Sequence, residues 1–193
     1  MKRVCVFCGS SVGKNPVYAD GARRLGEVLL QRSLGLVFGA GHIGLMGVIA
    51  DTVLAGGGQA IGVIPQALVD RELAHGRLTE LRVVDTMHAR KAAMADLADA
   101  FIALPGGFGT ADELFEILTW AQLGLHTKPI GLLNTVRFFD PLLAWIDHAI
   151  AEALIKPKHR HLLQVSDDPE TLLAMLASYQ PIRESKWIEP AER

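Results

Sequence analysis

Residues 100–113 read Ala100-Phe101-Ile102-Ala103-Leu104-Pro105-Gly106-Gly107-Phe108-Gly109-Thr110-Ala111-Asp112-Glu113. An apolar run is followed by a glycine-rich turn. Leu114-Phe115-Glu116-Ile117-Leu118-Thr119-Trp120-Ala121 then places apolar residues at helical spacing. The order is strand, turn, helix. Glycines at such a turn let the backbone take positive φ and pass close to a ligand. The first helical turn leaves N–H groups unpaired and carries the positive end of the dipole, which suits a phosphate. Thr110 can cap that helix or donate its hydroxyl to the phosphate. Glu113 is expected in the first turn or just past it, ionised because the dipole favours its anion. A plain tight turn would need only one glycine and a cap.

Outward from this stretch the pattern repeats. Arg3 to Cys8 reads as a buried strand, with Gly9 to Gly13 as its loop and a helix from Pro16 to about Gln31. Leu34 to Phe38 is a second strand, and residues 39–44 turn into a small-residue helix ending near Ala55. Ala60 to Ile64, Leu81 to Val84, Ala100 to Leu104 and Pro129 to Leu133 are further strands, and Leu162 to Val165 is a short edge strand. Residues 66–80 give no clear assignment. Thr86, Asp140-Pro141 and Asp167 mark helix starts. Short apolar strands alternating with helices define an α/β, Rossmann-like domain, with a parallel sheet covered on both faces. It is expected to span residues 1–182, with a loose tail at 183–193. Ligands bind such sheets beyond the carboxyl ends of the strands.

The chain has 193 residues, enough for one domain with a sizeable core, and its net charge of −2 gives no electrostatic case for nucleic acid. Neither a secretory signal nor a membrane span is evident, so a cytoplasmic location is expected. Cys5 and Cys8 form C-x-x-C, but within a strand their side chains point to opposite faces, which favours buried structural thiols over a redox pair. The histidines lack metal-ligand spacing, and no metal is expected.

Gly9-Ser10-Ser11-Val12-Gly13-Lys14-Asn15 is a near miss to a P-loop. It has one residue too few between its glycines and Asn after the lysine. Ser10 and Ser11 remain available as donors to a ligand. Gly39, Gly41 and Gly44 spell G-x-G-x-x-G, but the next strand ends Val63-Ile64-Pro65-Gln66, without the acid that would hold a dinucleotide ribose. A nucleotide-shaped ligand is still expected there. Arg90 and Lys91 lie early in a helix, where cations oppose the dipole. Either they are a solvated pair or an anionic substrate lies over them. Glu113 and Glu116, at i and i+3, are either a catalytic pair or two exposed carboxylates. Leu114, Phe115, Leu118, Trp120 and Leu123 give one helix more apolar surface than a single core face needs, which suggests a second subunit.

Pro-Gly-Gly-Phe-Gly-Thr-Ala-Asp-Glu at 105–113, preceded by Met87-His88-Ala89-Arg90-Lys91, resembles the signature of the Lonely guy (LOG) family of cytokinin riboside 5′-monophosphate phosphoribohydrolases. The resemblance runs from Cys8-Gly9-Ser10-Ser11 to about Ile182. Members have often been labelled lysine decarboxylases, yet nothing in the sequence argues for pyridoxal phosphate, and no cofactor is expected. The resemblance implies a homodimer that cleaves the N-glycosidic bond of an N6-modified adenosine monophosphate, giving free base and ribose 5-phosphate. It makes Arg90 and Glu113 catalytic. Gly106, Gly107, Phe108, Gly109, Thr110, Ala111 and Asp112 would hold phosphate and ribose, and Lys91, Thr119 and Glu72 would complete the site. Asp112 stands where many members have Glu. Two alternatives remain: a nucleotide-binding module without turnover, and an NAD-dependent oxidoreductase.

Overall fold

The computed structural model describes residues 1–71 and 74–181. Seven strands form one sheet: β1 (Arg3–Phe7), β2 (Gly35–Phe38), β3 (Ala60–Pro65), β4 (Glu80–Val84), β5 (Ala100–Ala103), β6 (Ile130–Leu133) and β7 (Leu163–Ser166). Their order is β4-β3-β2-β1-β5-β6-β7, and every pairing is parallel. The intervening helices are α1 (Val17–Gln31), α2 (Gly44–Ala55), α3 (Gln66–Val69), α4 (Met87–Leu97), α5 (Phe108–Gln122), α6 (Asp140–Ala151) and α7 (Pro169–Ser178).

Alternation along the strands feeds two cores. Val4, Val6 and Cys8 of β1 and its end pack with Leu25 and Leu29 of α1, Ile49 and Val53 of α2, and Leu172 of α7. Cys5 and Phe7 face the other way, against Met94 of α4, Leu114 and Ile117 of α5, and Ile146 of α6. The period-2 geometry of a strand therefore separates the C-x-x-C pair. Both thiols are buried and free, and burial pushes both well above the ordinary cysteine range.

Chain direction decides where a site can form. Strands β1 to β4 are laid outward one after another, and β5 then returns to the opposite side of β1. The loops after β1 and β5 therefore diverge above the same edge. The crevice at such a switch point is where open parallel sheets bind ligands.

One unassigned stretch resolves and two sequence expectations need correction. Residues 66–80 hold the short helix α3 and the start of β4. The last helix is capped by Asp168, which accepts the Thr171 N–H at 2.8 Å, rather than by Asp167. Helix α5 begins at Phe108, with Gly107 at the cap position and no side-chain cap, so Thr110 is its third residue. The expected tail, 183–193, lies outside the described residues. No helix among those residues is long and apolar enough to cross a membrane.

Gly44 shows where the turns tolerate no side chain. Its φ is +64°, and an added Cβ would lie 2.2 Å from the Ser10 carbonyl carbon. Gly57 has φ +77° but open space around it. Gly57→Ala should therefore cost only the left-handed strain, about 1–2 kcal/mol. Gly44→Ala should cost clearly more, as read by urea unfolding of the two variants.

Candidate functional site

The switch-point loops are latched through their backbones. Gly9 N–H donates to the Pro105 carbonyl at 3.1 Å, and Leu45 N–H donates to the Gly9 carbonyl at 2.9 Å. This joins the ends of β1 and β5 to the start of α2. Gly106 lies in the same contact, where an added Cβ would be 2.1 Å from Thr110 Oγ1 and 2.9 Å from Gly9 N. Built Cβ atoms at Gly107 and Gly109 would meet nothing within 4 Å, so these two positions leave open room at the helix start. A cavity of about 270 Å³ opens between the loops, lined by Gly9, Ser10, Ser11, Tyr18, Gly106 and Phe138 among others. The first N–H groups of α5 have no partner within the helix, by the geometry of any helix start.

Behind this turn α4 faces α5. Thr86 caps α4 by accepting the Ala89 N–H at 3.0 Å, which fixes the turn that carries Arg90 and Lys91. Both cations are buried, each 9% exposed, so they are not a solvated pair. Arg90 Nε donates to the Val63 carbonyl at 3.2 Å, and Nη2 lies 3.4 Å from Glu113 Oε1. Lys91 Nζ reaches Asp112 Oδ2 and Glu116 Oε1, each at 3.1 Å. Burial opposes the Lys91 charge, but hydrogen bonds to Asp112 and Glu116 outweigh it and hold its pKa above the ordinary value. Asp112 thus makes the contact despite its short side chain.

Glu113 departs from the sequence expectation of an ionised group. It is the sixth residue of α5 and buried, beyond the first turn where the dipole acts. Desolvation, opposed chiefly by Arg90, pushes its carboxyl up to about 7. The group is therefore near half-protonation at neutrality, in the range suited to a general base. It is also not one of two exposed carboxylates, since the Glu116 side chain is only 22% exposed.

The expected residues do not all fall in one place. Arg90, Lys91, Asp112, Glu113 and Glu116 form one charged network, while Gly106 and Ser10 line the cavity at the adjoining switch point and Thr110 packs against Gly106. Phe108, the first residue of α5, is 97% exposed. Gly41 bridges to Ala74, tying the loop after β2 to the segment before β4. Thr119 is turned away: its hydroxyl donates to the Phe115 carbonyl at 2.7 Å, and it lines a separate cavity of about 210 Å³ between α5, α6 and residues 155–163. Glu72 lies outside the described residues. Sequence reasoning did not anticipate Tyr18 and Phe138 as cavity walls. Nothing local in the sequence marks either residue as a cavity wall.

These features place an open glycine-rich helix start at the switch point of a Rossmann-like sheet, with a buried carboxylate and guanidinium behind it. A family model described as "Possible lysine decarboxylase" matches residues 46–176. Cytokinin riboside 5′-monophosphate phosphoribohydrolase LOG1 of Arabidopsis thaliana is 49% identical over 183 residues, covering 95% of this chain and 86% of that protein. LOG7 of the same plant is 48% identical over 180 residues, covering 93% and 83%. A solved molybdenum cofactor binding protein from Rippkaea orientalis superposes with a TM-score of 0.70 at 21% identity, over 92% of this chain and 97% of that one, a likeness of fold alone. The chain belongs to the LOG family.

The raised Glu113 carboxyl has a consequence for stability. Its folded pKa, about 7, exceeds the ordinary 4.5, so its contribution is full below about pH 4.5 and lost as pH rises to about 7. Glu113→Gln mimics the protonated form. The variant should match the parent near pH 4.5 and exceed it by about 3 kcal/mol above pH 7, as read by denaturant unfolding across that range.

Proposed function

We propose that the chain hydrolyses the N-glycosidic bond of N6-modified adenosine 5′-monophosphates, releasing free base and ribose 5-phosphate. The observation that carries this reading is the buried Glu113–Arg90 pair, 3.4 Å apart, directly behind an open glycine-rich helix start. The names borne by the relatives point to the same reaction.

In this reading the phosphate sits on the first N–H groups of α5, with the Thr110 hydroxyl and Ser10 as further donors. Gly107 and Gly109 leave room for it, and Ala111 and Asp112 continue the cradle toward the ribose. Cleavage of an N-glycoside passes through an oxocarbenium-like state. The Glu113 carboxylate stabilises that charge and takes a proton from the attacking water, whose oxygen bonds to the anomeric carbon as the C–N bond breaks, and the base departs with the bonding pair and takes up a proton from solvent. Arg90 holds the carboxylate in place and keeps a fraction ionised at neutral pH. Lys91, anchored by Asp112 and Glu116, adds positive potential beside the phosphate. Gly41 and Phe108 border the base side of the cleft, and Glu72 and Thr119 belong to the site through the family pattern. The whole of 1–182 acts as one catalytic domain, with 183–193 as a tail.

We further propose a cytoplasmic homodimer that uses no cofactor or nucleic acid. Half-buried Phe115, Leu118 and Trp120 of α5, with Trp145 of α6 53% exposed, support a helical dimer face. Sedimentation at micromolar concentration should find a dimer, and a stable active monomer would contradict this assembly.

The deciding experiment incubates purified protein with adenosine monophosphate and its N6-isopentenyl form and measures free base. Binding without release would make the protein a nucleotide-binding module. The 5′-phosphate should matter by at least about 100-fold in kcat/KM, since charge-assisted hydrogen bonds contribute about 1.5–3 kcal/mol each. Comparable rates on the riboside would refute the phosphate cradle. Glu113→Gln should bind normally by calorimetry yet lose about 10²–10⁴-fold in single-turnover base release. Glu27→Gln serves as the distant control. Because the ionised carboxylate is the active form, kcat/KM should rise with pH through about 7.

A further inference from the structure

We propose that Gly39 is a positioning residue for Arg90: the missing side chain just past β2 forms the slot in which the guanidinium lies, with its Nη2 turned to Glu113. An added Cβ at Gly39 would lie 1.7 Å from Arg90 Nη2 and 2.8 Å from Cζ. The backbone does not call for glycine here, because the φ of Gly39 lies outside the left-handed region, unlike those of Gly13, Gly44, Gly57 and Gly124. What excludes a side chain at 39 is the guanidinium. Three elements therefore set the geometry of one charge. Helix α4 supplies the side chain, the Val63 carbonyl of β3 accepts from Nε at 3.2 Å, and the end of β2 gives up a side chain. Met87, one turn earlier on α4, meets Nη1 through its sulfur at 3.7 Å. The far nitrogen is left facing Glu113 at 3.4 Å.

The atom displaced by a Cβ at 39 is the end of a flexible side chain. Gly39→Ala is thus accommodated by swinging the guanidinium out rather than by moving the sheet. The charged and titratable groups facing Glu113 are Arg90 and Lys91 from α4, Asp112 and Glu116 from its own helix, and Cys5 and Cys8 from β1 and its end. The thiols are neutral and the two acids repel it. Lys91 is engaged by Asp112 and Glu116. Arg90 is the principal cation holding Glu113 ionised, so moving its guanidinium leaves the carboxyl more strongly protonated.

The kinetic arm of the test rests on the reading of Glu113 as the base, and the spectroscopic arm does not. Glutamate is labelled with ¹³C at the carboxyl, and the Glu113 signal is assigned by its loss in Glu113→Gln. In Gly39→Ala that signal should titrate higher than in the parent by about 1–3 pH units, the usual influence of an opposite charge at contact. The acid limb of kcat/KM should move with it. Base release should fall by about 100-fold, the usual effect of a misplaced catalytic group, with KM little changed.

The second arm repeats Gly39→Ala in an Arg90→Lys background, where the shorter ammonium lacks the planar fork that fills the slot. There the added methyl should change rate and titration by less than about twofold, because the two positions act through one contact. A parent that releases no base would overturn the functional reading and leave the titration as the test of the slot. A Gly39→Ala protein whose Glu113 titrates as in the parent would overturn the positioning role. So would an equal loss in both backgrounds. If Gly39→Ala alone does not fold, the double variant should still fold under the proposal, and an unfolded double variant would overturn it.

Discussion

A carboxylate taken out of water and set against one guanidinium governs the carboxyl edge of this sheet. Desolvation outweighs the attraction, which is why the Glu113 carboxyl rises to about 7 rather than falling. Relative to a solvated glutamate the charged form is disfavoured by about 3 kcal/mol, a large fraction of the net stability of a typical domain. The surrounding architecture keeps this arrangement in place. Helix α4 is capped at Thr86, the Val63 carbonyl fixes Arg90 through Nε, and Lys91 is held by Asp112 and Glu116 rather than competing for Glu113.

The glycine-rich start of α5 and the Glu113 carboxylate share one helix but not one environment. The start of α5 projects into the open crevice with glycines around it, whereas its second turn is buried against α4 and the sheet. Only about one helical turn separates a position that attracts an anion through the dipole from one that discourages it through burial.

The sequence was most legible where local rules decide. Apolar runs located every strand to within a residue or two, and the glycine clusters at 9–13, 39–44 and 105–109 marked the loops that meet at one edge. The cap at Thr86 was readable from its residue type alone. Context decided the rest. The start of α5 was misplaced because Gly107, rather than a side-chain cap, opens the helix, and the cap of α7 was misplaced by one between two adjacent aspartates. The ionisation of Glu113 was misjudged because the dipole can be read from sequence position, whereas burial depends on how distant elements pack around the helix. The role of Arg90 and Lys91 was undecided for the same reason. Thr119 followed a motif in sequence but faces away from the charged network in space.

The two cysteines, three residues apart yet on opposite faces of the sheet, supply the molecule with an internal reporter of its own opening. Each thiol is shielded and holds its proton far more tightly than usual, so thiolate chemistry at either face requires that face to come apart first. Cys8 belongs to the layer packed under α1, α2 and α7, and Cys5 to the layer under α4, α5 and α6. Alkylation followed separately at the two positions would therefore distinguish partial detachment of either helical layer from global unfolding. The helices that carry the charged network could then be followed apart from those that brace the opposite side.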